Sequence, residues 1–357
     1  MKATLHGKCE LGCRCAPGDN RALLRFAFGV ERRGRRVAGV RLTMDSMEST
    51  KSGKHAAVAR TGKGKPAARL EVLREAKFSA LPWLAHGFST RPGGYSTAYG
   101  KRSLNLGFTA GDEKPAVEKN RAAYVKALTG ERGGKPVVLV TLQQVHSDFI
   151  HVITEFPNPS MTPNHPLAGD GMVTSVPGLL LAIQTADCLP ILLVDKKQRV
   201  VAAVHAGWRG SLHRIAQKTV GTMQSRFSSD PKNILAAIGP GIHRCCYPVG
   251  AEVRQEFESQ FDYAGELFDE VFDSDPVHLK YPLLFLTARA PGHSELGPQT
   301  HFDLVEANRR QLQDAGIPAK NVTASPLCTG CRADLLFSHR MERGNTGRMM
   351  AAIGIRP

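Results

Sequence analysis

Six short apolar runs between Val137 and Gly241, over 137–141, 149–154, 179–183, 190–194, 200–204 and 233–238, limit what this chain can fold into. Each has the length of a strand and breaks into turn residues at its end. One helical stretch interrupts them, Ser211 to Phe227, with Leu212, Ile215, Ala216, Thr219, Val220 and Met223 at a 3.6-residue spacing. Strands that outnumber helices, and are not regularly interleaved with them, argue against a doubly wound sheet. The pattern predicts the α+β class: a layered, mixed β-sheet core flanked by helices. Further helices are expected over Pro115–Leu128, Val249–Gln260 and Asp303–Ala315, the last stopping at Gly316-Ile-Pro318. Terminal strands are expected near Val322 and over Met349–Ile355, and Gly265–Asp275 reads as irregular and acidic.

The net charge of +15 raises nucleic acid as a partner, so its location matters. Residues 1–77 hold 18 Lys and Arg against 7 Asp and Glu, which leaves only about +4 for the rest. Residues 1–68 therefore read as a basic, disordered extension, and 69–357 as one folded catalytic domain. Nucleic-acid binding is expected, if at all, only through the extension. Cys9, Cys13 and Cys15 lie close enough for a metal knuckle but lack a fourth ligand at suitable spacing. No apolar run approaches the length of a membrane span, and no signal-peptide pattern is present. Eight cysteines without an even framework suit a reducing cytoplasm, and a monomer is expected.

Three soft or borderline metal ligands stand where apolar runs end: His146 after 137–141, Cys188 after 179–183, and His205 after 200–204. Three protein ligands with an open fourth position is the usual layout of a catalytic zinc site. Cys188 and His205 alone would equally make a nucleophile–base pair. The extra imidazole of His146 favours metal, because a third ligand has no obvious place in such a pair. Asp187, beside Cys188, reads as a general base or a ligand-orienting carboxylate, or as a turn residue. Trp208 and Arg209 precede the helix expected at Ser211, where free N–H groups favour an anion and an indole could stack on a flat ring. Upstream, Arg91 with Gly93 and Gly94 reads either as an anion pocket or as an ordinary turn. Asn105 and Arg121 are further polar candidates. Cys328 and Cys331 form a CxxC, but without a second such pair they read as packed thiols.

Gln144-Val-His146, Thr185-Ala-Asp-Cys-Leu-Pro190, His205-Ala-Gly-Trp-Arg-Gly210 and Ile238-Gly-Pro-Gly-Ile-His-Arg-Cys-Cys-Tyr-Pro-Val-Gly250 together resemble the YfiH family, also called the multicopper polyphenol oxidase or laccase-domain family. Ser89-Thr-Arg-Pro-Gly-Gly94, Asn105-Leu-Gly107, Cys328-Thr329, Phe337-Ser-His-Arg340 and Gly347-Arg348 extend the likeness from about residue 80 to the C-terminus. The resemblance implies a YfiH-like α+β domain, grouped with a bacterial toxin's cysteine-hydrolase domain. It implies zinc on His146, Cys188 and His205, with copper as the alternative ion. The implied activity is phosphorolysis of adenosine, inosine, guanosine and methylthioadenosine, together with adenosine deamination. Under that reading the catalytic set is Asp187, Cys188 and Arg209. Arg91, Asn105, Trp208, Cys246 and Tyr247 would contact nucleoside or phosphate. Two other enzyme readings stay open: a cysteine-type amidase editing peptidoglycan precursors, and a copper-dependent polyphenol oxidase. The dense His-X-His pattern of a multicopper oxidase is missing, which ranks the latter low.

Overall fold

A run of apolar residues without polar alternation makes a strand that must be covered on both faces. The computed structural model, which describes residues 70–130, 137–156, 167–271 and 298–357 with the backbone of 28–30, shows how that cover is supplied. Its strands are β1 (Phe28–Val30), β2 (Val72–Glu75), β3 (Leu84–Ser89), β4 (Pro92–Ser96), β5 (Val138–Thr141), β6 (Ile150–Ile153), β7 (Gly171–Thr174), β8 (Leu179–Thr185), β9 (Leu189–Asp195), β10 (Val200–Ala206), β11 (Ile234–Ile238), β12 (Phe268–Val271), β13 (Gln299–Phe302), β14 (Val322–Ala324) and β15 (Met349–Ile355). The helices are α1 (Ala76–Ser79), α2 (Lys114–Thr129), α3 (Trp208–Leu212), α4 (Ile215–Phe227), α5 (Ala251–Glu258) and α6 (Leu304–Asp314). One mixed sheet runs β1-β2-β3-β15-β8-β5, a second runs β14-β11-β9-β10-β7-β6, and β12 pairs with β13 alone.

The period of two sorts each central strand between two cores. Leu181 and Ile183 of β8, Leu192 and Val194 of β9, Val201 and Ala203 of β10, and Ala351 and Ile353 of β15 share one core between the sheets. Their alternates face outward. Leu180 and Ala182 pack with Tyr124 and Leu128 of α2, while Ile191, Leu193, Ala202 and Val204 pack with Ile215, Val220 and Met223 of α4 and Leu312 of α6. The result is four layers, helix–sheet–sheet–helix, within the expected α+β class.

Several expected elements shift. The stretch read as one helix from Ser211 divides in two, because Arg214 takes a left-handed backbone (φ 58°) between α3 and α4. Trp208 and Arg209 therefore lie inside the first turn of α3 rather than ahead of it. Part of the acidic stretch forms β12, and Phe28–Val30, inside the expected extension, pairs antiparallel with β2. The three N-terminal cysteines and all the Lys and Arg of residues 1–68 fall outside the described residues.

His86, on β3, is buried, with Nε2 accepting from the backbone N–H of Glu75 at 3.1 Å. Burial, reinforced by the Arg74 charge, lowers its pKa from 6.5 to about 3. The unfolded chain thus binds a proton that the folded chain refuses across this window. Stability is full above pH 6.5 and falls as pH drops toward 3, by up to about 1.4 kcal/mol per pH unit. His86→Gln should flatten that part of a plot of Tm against pH; an unchanged slope would assign the loss to other groups.

Candidate functional site

The strand directions bring several chain turns to one end of the two sheets. β8 and β10 finish there, and β9, β7 and β15 start there. His205 has the parity of Val201 and Ala203, so its ring lies at the mouth of the seam between the sheets. Cys188 precedes β9, and His146 sits in the loop after β5. Their ligand atoms all lie within 4.8 Å of one another. Cys188 Sγ is 3.8 Å from His146 Nε2, and the two imidazoles meet edge to face with centroids 4.9 Å apart.

A carboxylate that the sequence reading passed over holds this cluster. Asp170, fully buried just before β7, lies 2.7 Å from His205 Nδ1 through Oδ1, which also accepts the N–H of His146. Its Oδ2 accepts the N–H of Val145 and Ser147 and the Ser147 hydroxyl. Three successive amides thus close on one anion, and they hold His146 in the left-handed region (φ 60°), which a non-glycine residue rarely occupies unaided. Gln144 adds a two-way clamp: its Oε1 accepts from Gln184 N–H and its Nε2 donates to Gln184 O.

Electrostatics follow from the crowding. Burial alone would push the Cys188 thiol up, but the His205 charge and hydrogen bonds from His146 and His205 bring it down to about 6. Burial likewise disfavours a charged His205, yet Cys188 and Asp170 raise it to about 9. Asp170 falls to about 2, burial being outweighed by its bonds to His205 and Ser147. Without a metal the set is a thiolate beside an imidazolium, backed by a carboxylate.

The donor set fits a zinc ion. Two imidazoles and one sulfur suit a borderline-soft cation, and His205 shows the carboxylate–histidine contact that orients a zinc-bound ring. Gly207 leaves room for the cluster: a Cβ there would stand 2.9 Å from Cys188 Sγ and 3.1 Å from His146 Cδ2. Its backbone (φ −80°, ψ 177°) suits any residue, so Gly207→Ala should fold normally. It should weaken metal binding by about tenfold or more in a chelator competition. Unchanged affinity would mean that thiol and ring can part at no cost.

The ligands open into a cavity of about 420 Å³, a size that suits a small molecule, lined also by Gln144, Asp187, Tyr247, His339, Arg340 and Arg348. Asp187 lies on its wall in the left-handed region (φ 92°). Its Oδ1 accepts from the Thr329 and Ser338 hydroxyls and its Oδ2 from Arg340 N–H. That is the geometry of an anchor for the 329–340 segment. Trp208 and Arg209 line an adjoining cleft that shares Tyr247 and Arg340, with the guanidinium 4.5 Å from the indole centroid.

Three expected contacts sit elsewhere. Arg91 is not among the cavity-lining residues; its guanidinium donates to Ala333 O, Tyr99 O and Glu342 and lies over Phe337. The amides of Gly93 and Gly94, which lie in β4 rather than in a turn, are taken by Arg102 O, so this stretch is a clasp between chain segments. Asn105 is buried, its Oδ1 accepting from Arg348 N–H, and so supports a cavity residue without lining the cavity. Cys246 faces Cys331, 3.5 Å between sulfurs, and does not line the cavity.

A two-sheet α+β domain with a His–Cys–His cluster at the open end of its seam defines a class of pocket protein built for metal or thiolate chemistry. The chain belongs to the YfiH or laccase-domain family: residues 85–356 match the family described as "Multi-copper polyphenol oxidoreductase laccase". It is 36% identical over 275 residues to "Purine nucleoside phosphorylase YlmD" of Geobacillus stearothermophilus, spanning 76% of this chain and 89% of that protein. It is 35% identical over 184 residues to "Adenosine deaminase RL5" from an unknown prokaryotic organism, spanning 52% of this chain and 61% of that protein. The crystal structure of the Bacillus licheniformis hypothetical protein YfiH superposes with a TM-score of 0.66 at 31% identity, covering 80% of this chain and 96% of that one.

Proposed function

We propose that this protein is a zinc-dependent purine nucleoside phosphorylase that also deaminates adenosine, with residues 69–357 as the catalytic domain. The observation that carries this is the convergence of His146, Cys188 and His205, braced by Asp170, on a cavity that also presents Arg340 and Arg348. The names of the relatives supply the substrate class. A zinc ion held by His146, Cys188 and His205 would supply Lewis-acid polarisation. The chain's own residues do the rest. In phosphorolysis a phosphate oxygen bonds to C1′ of the ribose while the C1′–N9 bond breaks, and the purine leaves with the electron pair and gains a proton. Arg340, held by Asp187 and by Pro248 O, presents its guanidinium beside Tyr247 as the partner for phosphate, and Arg348 lines the same cavity. Arg209, one cleft away, is the reserve. Asp187 fixes the segment that carries Arg340, and the Tyr247 ring offers a flat apolar wall for the base. In deamination water adds at C6 and ammonia departs from the same carbon.

Incubating the zinc-loaded protein with adenosine should give adenine and ribose 1-phosphate only when phosphate is present, and inosine in either case. A strong chelator should stop both reactions. Zinc-loaded protein that leaves every purine nucleoside intact would overturn the reading.

One observation favours a second reading, a cysteine-type amidase. Cys188, His205 and Asp170 follow one another in the order nucleophile, base, orienting acid. Activity on an amide that survives chelation but not thiol alkylation would select it. Copper-dependent phenol oxidation fits less well, since the described residues bring only two imidazoles together with one sulfur, far short of a trinuclear copper cluster. Among the described residues no helix is long and apolar enough to cross a membrane. We take the enzyme to be cytoplasmic and monomeric.

A further inference from the structure

Four cysteine side chains that the reactions above do not use meet outside the cavity. Cys245 and Cys246 sit in the short turn Arg244–Cys246, and Cys328 and Cys331 in the Cys-Thr-Gly-Cys turn before the final strand. Their four Sγ atoms all lie within 4.8 Å of one another, with Cys331 at 3.5 Å from both Cys245 and Cys246. No pair is joined as a disulfide.

We propose that these four sulfurs bind a second metal ion, a structural zinc in a tetrathiolate site. Zinc–sulfur bonds of about 2.3 Å in a tetrahedron set the sulfur–sulfur edges at about 3.8 Å; the two Cys331 spacings of 3.5 Å lie close to that value and every pair is within 4.8 Å. A disulfide needs one pair to close to about 2.05 Å; here Cys331 is equidistant from two candidates, and any single bridge strands two thiols. The surroundings suit a metal-bound thiolate. The backbone N–H of His243 points at Cys328 Sγ at 3.4 Å, a donor that steadies charge on sulfur. Gly330 has no side chain where a Cβ would fall 2.6 Å from Cys246 Cβ and 2.9 Å from its Sγ, so the two turns can close on each other.

The position gives the site a purpose whatever the reaction in the cavity. Cys246 is followed by Tyr247, which lines the cavity wall. Cys328 bridges in parallel to Gly241, and the next residue, Thr329, donates its N–H to Gly241 O and its hydroxyl to Asp187, the neighbour of Cys188. The segment then runs on to Arg340. An ion on the four sulfurs would pin the Arg244–Cys246 turn, which leads into Tyr247, to the 328–340 segment and so hold two walls of the pocket in register. It is a positioning element and touches no substrate.

The test is a metal count on the full-length protein, purified under reducing conditions without chelator. The unaltered protein should carry two zinc ions per chain. Cys331→Ser should carry one, and Cys188→Ala should also carry one, lost from the other place. X-ray absorption at the zinc edge of the Cys188→Ala protein should show a shell of four sulfurs at about 2.3 Å. This measurement leaves the four cysteines untouched, so it stands even if Cys331→Ser fails to fold. Cys188→Ala protein without zinc, a mixed nitrogen–sulfur shell, or a disulfide between Cys331 and Cys245 or Cys246 in freshly isolated protein would each overturn the proposal.

Discussion

Asp170→Asn protein should bind zinc about 10- to 100-fold more weakly than the parent and should be less stable by about 3–5 kcal/mol. The change keeps shape and removes only charge and one acceptor, and the structure leaves no harmless way to place the new amide. Oδ1 faces His146 N–H and His205 Nδ1, while Oδ2 faces two further N–H groups and a hydroxyl. Whichever side receives the NH₂ then sets donor against donor inside a fully buried pocket. His146 would lose the support for its left-handed backbone at the same time. Isothermal titration with zinc and a denaturant melt measure the two effects separately. Parent-like zinc affinity would show that Asp170 braces the loop alone and has no bearing on the ligands.

Cys188→Ala should lower kcat/KM for adenosine, in both phosphorolysis and deamination, by about 10³-fold or more, since Lewis-acid stabilisation is worth several kcal/mol at about 1.4 kcal/mol per decade. Loss of activity alone would not separate a metal ligand from a nucleophile. Cys188→Asp does. A carboxylate can take the place of the thiolate on zinc but cannot act as a sulfur nucleophile, so this variant should retain bound zinc and measurable turnover. Zinc retained with no activity at all would point to attack by sulfur and to the amidase chemistry.

The apolar runs announced their strands because both faces are covered. Leu179–Ile183 became β8 and Val200–Val204 became β10, each feeding one core with its odd residues and another with its even ones. The helix at 303–315 was equally plain, since Asp303 caps it and Gly316 leaves it with a positive φ of 92°. What the local pattern could not show was pairing at a distance. Asp170 sits in a short Leu-Ala-Gly-Asp turn that looks like any connection, and only the fold reveals the five groups around it. A buried acid flanked by glycines just before a strand was the one available hint. Arg91 misled for the complementary reason: an arginine in a glycine turn matches an anion pocket, yet backbone carbonyls and Glu342 had already engaged it. The adjacent pair Cys245–Cys246 lacks the spacing by which metal-binding cysteines are usually noticed, so its meeting with Cys328 and Cys331, over 80 residues away in each case, was visible only in three dimensions.

β15 lies in the middle of its sheet, between β3 and β8, although it follows every other described strand along the chain. During synthesis the pairs β2–β3 and β5–β8 therefore emerge without the strand that lies between them, and the floor behind Cys188 stays open until residues 349–355 follow. A ribosome stalled short of that point would hold a chain that carries His146, Cys188 and His205 but cannot keep them in place. Catalytic competence should thus arrive only once β15 has joined the sheet, and a shorter nascent polypeptide should have little chance of capturing a stray ion prematurely.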